Sequence, residues 1–219
     1  MSFLCFIFAW SNGTAMKLLD QLKQFDYSHS SEPERARLEL QSRFKDIAST
    51  MFYGGYIDVW DEFRVYIRAV EFYFHEENGC VKDDIVYHRK GGKAYSGTEP
   101  VPVFPTMSLH AHASGFDITF EKDGVRSSAL IRKYALYDVK AGRFLDRGKG
   151  WEDDRSSYLY DYLNGFSLSS ENRIAWKDEE IGMTRKVSEP MARVRTKAKT
   201  GDDRKWRFSA MEDIRSQVK

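Results

Sequence analysis

Glu71 stands in an apolar run, "RAVEFYFHE", between Val70 and Phe72, with Tyr73 two residues on. A carboxylate in such a setting is costly unless it is paired, neutral or useful. If "RVYIRAVEFYF" is a strand, side chains alternate, and Val65, Ile67, Ala69, Glu71 and Tyr73 share one face. Tyr66, Val70, Phe72 and Phe74 then share the other. Burial would raise the pKa of Glu71 and suit it to general acid or base work. The plain alternative is a structural carboxylate satisfied by an arginine such as Arg132.

The histidines form the next group. "LHAHASGFD" carries His110 and His112 in an H-x-H pair, which a strand projects to one face, and His88 or Asp117 could add a third donor. The spacing names no particular metal, and hydrogen-bonded pocket histidines fit equally. Cys5 and Cys80 form neither a disulfide framework nor a zinc motif. There is no nucleophile elbow around a serine. "RKGGK" lacks the strand-to-helix setting of a phosphate loop, and it reads as a turn whose Arg89, Lys90 and Lys93 could touch phosphate.

These groups need a scaffold. "MKLLDQLKQF" predicts a short amphipathic helix. "SSEPERARLELQSRFKDIASTMF" predicts a longer one, with Ser31 as N-cap, Pro33 in the first turn, Glu34 completing a capping box, and Leu40, Phe44, Ile47 and Met51 on one face. "GGYIDVW" breaks it. The texture then turns to strand: "RVYIRAVEFYFHE", "DIVYHR", "VFPTMSLHAHA", "FDITFEKDG", "VRSSALIRKYALYD" and "RIAWKD", with "EKDGV" as a hairpin turn. "DDRSSYLYDYLNGF" reads as a short helix, and the basic tail as a loop with a final strand or a phosphate-contacting flank. The expectation is α+β: one domain over 16–219, a mainly antiparallel sheet flanked by N-terminal helices.

Composition sets limits. The 219 residues carry 34 Lys+Arg against 33 Asp+Glu, a net charge of +1, so any nucleic-acid site must be a local basic patch. Residues 1–15 read as an upstream extension whose apolar run is too short for a bilayer, and the expected location is cytoplasmic.

In their order along the chain, several of these words resemble the alkyladenine (3-methyladenine) DNA glycosylase family. "RAVEFYF" is similar to the family's "VETEAY"-like strand, with Glu71 at the catalytic glutamate and Tyr73 at the base-stacking tyrosine. "DDIVYH" is similar to its "DEAAH"-like segment and ends at a pocket histidine, His88, with "RKGG" following. "SALIRKY" resembles a "VLIRA"-like motif and puts Arg132 near the flipped nucleotide. "ARVRTKAKTGDDRKWRF" resembles the late basic "RVG…WRF"-like segment. The likeness runs from Tyr66 to Phe208, and it implies the methylpurine DNA glycosylase fold.

The implied function is base excision: a damaged purine in DNA is flipped out, and Glu71 activates water against the sugar C1′ with no cofactor or metal. Tyr73, His88, His110 and Asp117 would hold the base, with the family's pocket asparagine falling at Asp117 or Thr119. Arg132, Arg89, Lys90, His112, Arg193 and Arg195 would contact DNA. The family's aromatic wedge, which fills the gap left by the flipped base, has no counterpart in "HAHASGF". A non-catalytic module binding nucleic acid or protein on the same scaffold, and a metal enzyme built on His110 and His112, remain the other readings.

Overall fold

The structure is a computed structural model. It describes residues 17–86, 89, 103–112, 115–145, 173–181, 184–194 and 204–216, without the side chains of Ala111, His112 and Ser216.

Helix α1 (Leu18–Lys23) buries Leu18 and Leu22, and α2 (Pro33–Tyr53) follows. The apolar stripe of α2 is as spaced: Leu40, Phe44, Ile47 and Met51 are all buried. Its entrance corrects the expectation. Glu32, not Ser31, is the N-cap, and no side chain caps the helix. Glu34 pairs instead with Arg37 at 2.9 Å, an i,i+3 pair on the surface. Proline in the first turn needs no amide partner, which lessens the need for a cap.

Among the described residues, eight strands then form one curled antiparallel sheet. They are β1 (Gly55–Val59), β2 (Phe63–Glu76), β3 (Leu109–His112), β4 (Gly115–Thr119), β5 (Val125–Asp138), β6 (Arg143–Leu145), β7 (Ile174–Asp178) and β8 (Arg207–Ser209). The order is β3-β4-β5-β2-β1-β7, with β6 beside β5 and β8 beside β2. The fold is therefore α+β, as expected. The hairpin in "EKDGV" is present: Lys122 bridges Val125, and Gly124 takes a φ of 74°, where a side chain would be strained.

Several expected elements differ. "GYIDV" does more than end α2; it forms β1 between β2 and β7. In "DIVYHR", Asp84 and Ile85 form a turn rather than a strand, while Tyr87 and His88 lie outside the described residues. The stretch before Leu109 is not strand either, because Pro105 opens a turn at Thr106 and Met107. The helix expected over 153–166 and the 1–15 extension also lie outside the described residues. Among the described residues, no helix is long and apolar enough to cross a membrane.

The central pair, β2 and β5, runs in register from Phe63↔Asp138 to Glu76↔Val125, with shifts around Ala69. Ile67 faces Tyr134, Ala69 faces Lys133 and Val70 faces Ile131. Arg68 is thus an extra residue on β2, and Arg132 an extra residue on β5. This corrects the alternation assumed above. Val65 and Ile67 join the same core cluster as Val70, Phe72 and Phe74, whereas Tyr66 packs with Tyr56, Ile181 and Ile214 elsewhere. A bulge changes the phase of the pleat, so counting by two fails across it.

The core lies between α2 and one face of the sheet. Phe44 stacks on Phe72 with ring centroids 4.5 Å apart and planes 1° from parallel. Trp206 meets Phe44 edge-on at 5.2 Å, and Phe120 and Phe208 close around Phe72. Rings packed in this way add about 0.5–1.5 kcal/mol per pair beyond the area they bury.

Candidate functional site

Antiparallel partners point to the same face, so the register itself assembles the site. His110 faces Asp117, Asp117 faces Leu130, Leu130 faces Glu71, and Glu71 faces Arg207. This row crosses β3, β4, β5, β2 and β8 on the side away from α2. The neighbouring row on the same side is Thr119, Ser128 and Tyr73. The intervening rows point to the core: Leu109, Ile118, Ala129 and Phe72, and Phe116, Ile131, Val70 and Phe208.

Glu71 is wholly buried. Its Oε1 accepts the backbone N–H of Val194 at 2.8 Å, and its Oε2 accepts the Tyr73 hydroxyl at 3.2 Å. Two guanidiniums stand near Oε1: Arg132 Nε at 3.7 Å and Arg207 Nε at 3.9 Å. Both are partly exposed, at 22% and 25%, while Glu71 is at 0%. Arg132 is the extra residue of the β5 bulge, and re-aiming one side chain is what such a bulge does. The Tyr73 phenol is pushed well above its ordinary pKa, first by burial and then by the Glu71 carboxylate. It therefore stays a proton donor toward Glu71 across the working pH range.

A second carboxylate lies behind this one. Asp83, in the loop after β2, takes two bonds from Arg193, at 2.6 and 3.2 Å, and lies 3.1 Å from Arg204. Beyond β8 the edge of β2 would be open. There Arg193 donates to the carbonyl of Phe72 at 3.3 Å, and Asp83 accepts the N–H of Phe74 at 3.5 Å. An ion pair thus closes a sheet edge that the short strand β8 leaves uncovered. The Arg193 guanidinium also covers one face of the Tyr73 ring, 4.7 Å from its centroid, and lies 5.6 Å from that of Trp206. Asp83 donates its own N–H to His75 Nδ1 at 3.0 Å, and burial pushes the His75 pKa down, so this imidazole is held neutral.

The expected site residues divide as follows. Glu71, Tyr73 and Arg132 come together. Asp117 lies in the same row, buried, accepting the Ser128 hydroxyl at 3.2 Å. Its charge contributes to the rise at Tyr73. His110 ends the row at the β3 edge, with Phe104 against its ring at 3.9 Å. Thr119, the alternative to Asp117, donates its hydroxyl to the carbonyl of Pro105 at 2.8 Å and so holds a loop. Arg193 is the correction: it was expected at a phosphate, but it is 3% exposed and its guanidinium serves Asp83. Arg89 donates to the carbonyl of Asp84, at 3.3 and 3.2 Å, and stays near its own loop. His88, Lys90, Arg195 and the His112 side chain lie outside the described residues. Among the described residues, His110 belongs to no group of three metal-capable side chains.

Sequence reasoning missed Asp83, Arg204, Arg207 and the amide of Val194. Arg207 had a signal, because it lies between Trp206 and Phe208 and a strand sends it to the opposite face. The other three had none: Asp83 meets Arg193 across 110 residues of chain. No family model matches this chain, and no curated protein matches it.

Proposed function

We propose that the protein hydrolyses an N-glycosidic bond in the manner of the 3-methyladenine DNA glycosylases, with Glu71 as the general base. The observation that carries this reading is the setting of Glu71. It is a buried carboxylate on the polar side of the sheet, oriented through Oε1 by the Val194 amide and through Oε2 by the Tyr73 hydroxyl, with Arg132 aimed at it from a bulge. A base must be held in place before its pKa matters, and both oxygens are held. Tyr73, Arg132 and Arg207 are the partly exposed groups around the wholly buried carboxylate, so an attacking water would have to enter beside them.

In this mechanism the damaged purine stacks on the face of Tyr73 that Arg193 does not cover. Glu71 takes a proton from water as the oxygen bonds to C1′. The C1′–N bond breaks, and its electron pair leaves with the base. A 3-methylated adenine carries a positive charge and departs neutral, which is why no metal need assist. Arg132 and Arg207, next to the carboxylate, suit the phosphates flanking the sugar.

The test is an oligonucleotide carrying 3-methyladenine or hypoxanthine, single-stranded and duplex, with abasic product as readout. Wild type should cleave, and Glu71→Gln should lower the rate by about 100-fold or more. No abasic product under conditions where a control glycosylase works sinks the proposal. The complete burial of Glu71 favours a second reading, a non-catalytic binding module in which Glu71 ties β2 to the Val194 segment. In that case Glu71→Gln changes stability, no substrate is cleaved, and DNA affinity falls steeply with salt if phosphates are contacted.

A further inference from the structure

Away from the Glu71 face, three metal-capable side chains meet where the segment entering α2 crosses the end of β2. His29 comes from that segment, Glu76 ends β2, and Cys80 sits in the loop after it. One donor atom from each lies within 4.8 Å of the other two. Glu76 Oε1 is 2.8 Å from His29 Nε2, and Cys80 Sγ is 3.9 Å from His29 Nδ1. The carbonyl oxygen of Ser30 adds a fourth donor, 2.8 Å from Nδ1 and 3.5 Å from Sγ.

The Cys80–His29 spacing is close to that of two ligands sharing an ion at Nδ1, whereas Glu76 meets the other ring nitrogen, Nε2, so an ion bound at Nδ1 takes the carboxylate only once it swings from Nε2 toward that side. Metal–sulfur and metal–nitrogen bonds of about 2.3 and 2.0–2.1 Å at a tetrahedral angle put the two ligands about 3.6 Å apart. The surroundings are built to hold the donors. Side-chain exposure is 7% for His29 and 13% for Glu76. Glu76 Oε2 accepts the N–H of Val81 at 2.9 Å, and Lys82 Nζ donates to the carbonyls of Glu76 and Glu77 at 2.7 Å each. A Cβ on Gly79 would lie 2.1 Å from a Glu76 carboxylate oxygen, so a side chain at residue 79 would push the carboxylate from its present place.

We propose that His29, Glu76 and Cys80 bind a divalent ion of the zinc class, with the remaining position taken by the Ser30 carbonyl or water. A thiolate beside an imidazole selects zinc over calcium or magnesium. One thiolate, one carboxylate and a neutral imidazole carry two negative charges, which a dication balances. The ion staples the entrance of α2 to the loop that carries Asp83. Its role is structural and separate from Glu71.

The test uses the untagged full-length chain, stripped with chelator and titrated with zinc(II) alone and cobalt(II) alone. Expected are one equivalent of zinc, a raised melting temperature, and a thiolate-to-cobalt charge-transfer band. Cys80→Ser, which keeps the side-chain size, should abolish the band with an unchanged circular dichroism spectrum. Glu76→Gln should weaken binding by about 10- to 100-fold. Substoichiometric zinc at micromolar metal, or a band that persists in Cys80→Ser, overturns the proposal. Glycosidic activity is not read in any arm.

Discussion

The two faces of the β2–β5 pair are made from neighbouring residues and follow opposite rules. One face takes Val70, Phe72 and Phe74 and closes them against α2. The other takes Glu71, Tyr73 and His75, of which Glu71 and His75 are buried; the C-terminal segment covers Glu71 and Tyr73, and the loop after β2 meets His75. The first face depends on shape and area, and any well-packed apolar set would serve it. The second depends on directed contacts, and removing one partner strands another. The lesson is that burial alone does not mark a core. Glu71 and Phe72 are both at 0% exposure, yet only one of them is there to exclude water.

This contrast can be broken by substitution. The largest effect is expected on the apolar side, where Phe72→Ala should cost about 3–5 kcal/mol, read as a shift in the urea midpoint. Asp83→Asn comes next at about 3 kcal/mol, because the Arg193 and Arg204 guanidiniums lose their buried counter-charge. Replacing Asp83 and Arg193 together by apolar residues should recover part of that loss. Glu71→Gln should cost about 1 kcal/mol, since the amide keeps an acceptor for Val194 and its cationic neighbours are partly exposed. A loss as large as that of Asp83→Asn would favour the structural reading of Glu71 over the proposed catalytic one.

A smaller effect follows pH. The folded pKa of His75 is lowered, chiefly by burial, with Glu77 at 3.6 Å acting in the other direction and Lys82 and Arg89 reinforcing the fall. The unfolded chain takes up this proton near pH 6.5. The contribution is therefore fully present above about pH 6.5 and is lost as pH falls through the lower folded value, at no more than about 1.4 kcal/mol per pH unit. Urea midpoints of wild type and His75→Gln should converge between pH 7.5 and pH 5. The smallest change is at the helix entrance. Ser31→Ala should leave stability unchanged within about 0.5 kcal/mol, because Ser31 caps nothing.

Most of the apolar face was legible in the sequence. Leu40, Phe44, Ile47 and Met51 repeat at helical spacing, and "VRSSALIRKYALYD" coincides with β5 from end to end. These signals are local, and local periodicity survives tertiary context. The polar face was legible only in part. Glu71 and Tyr73 could be singled out because a carboxylate in an aromatic run is anomalous. Their partners could not, because Val194 and Arg207 reach Glu71 across more than a hundred residues of chain. The bulges were invisible for a related reason: an extra residue on one strand has meaning only against the strand it faces. The triad of His29, Glu76 and Cys80 shows no metal-binding spacing, since one member precedes α2 and the others follow it.

The paired bulges have a genetic consequence. Arg68 adds a residue to β2 and Arg132 adds one to β5, and beyond them the register returns to the one it had before. They behave like a frameshift and its suppressor. Deleting Arg68 alone should leave the two strands one residue out of step, with Arg132 unmatched on β5. Deleting Arg132 as well should restore a plain ladder, with Ile67 and Val70 still facing the core. A selection for folding would then accept the double deletion and reject either single one. If Glu71 acts as proposed, a selection for that activity would reject all of them, because the suppressed frame has lost the arginine. If the double deletion folds, the irregularity is dispensable to the fold, and what it adds is Arg132 beside Glu71.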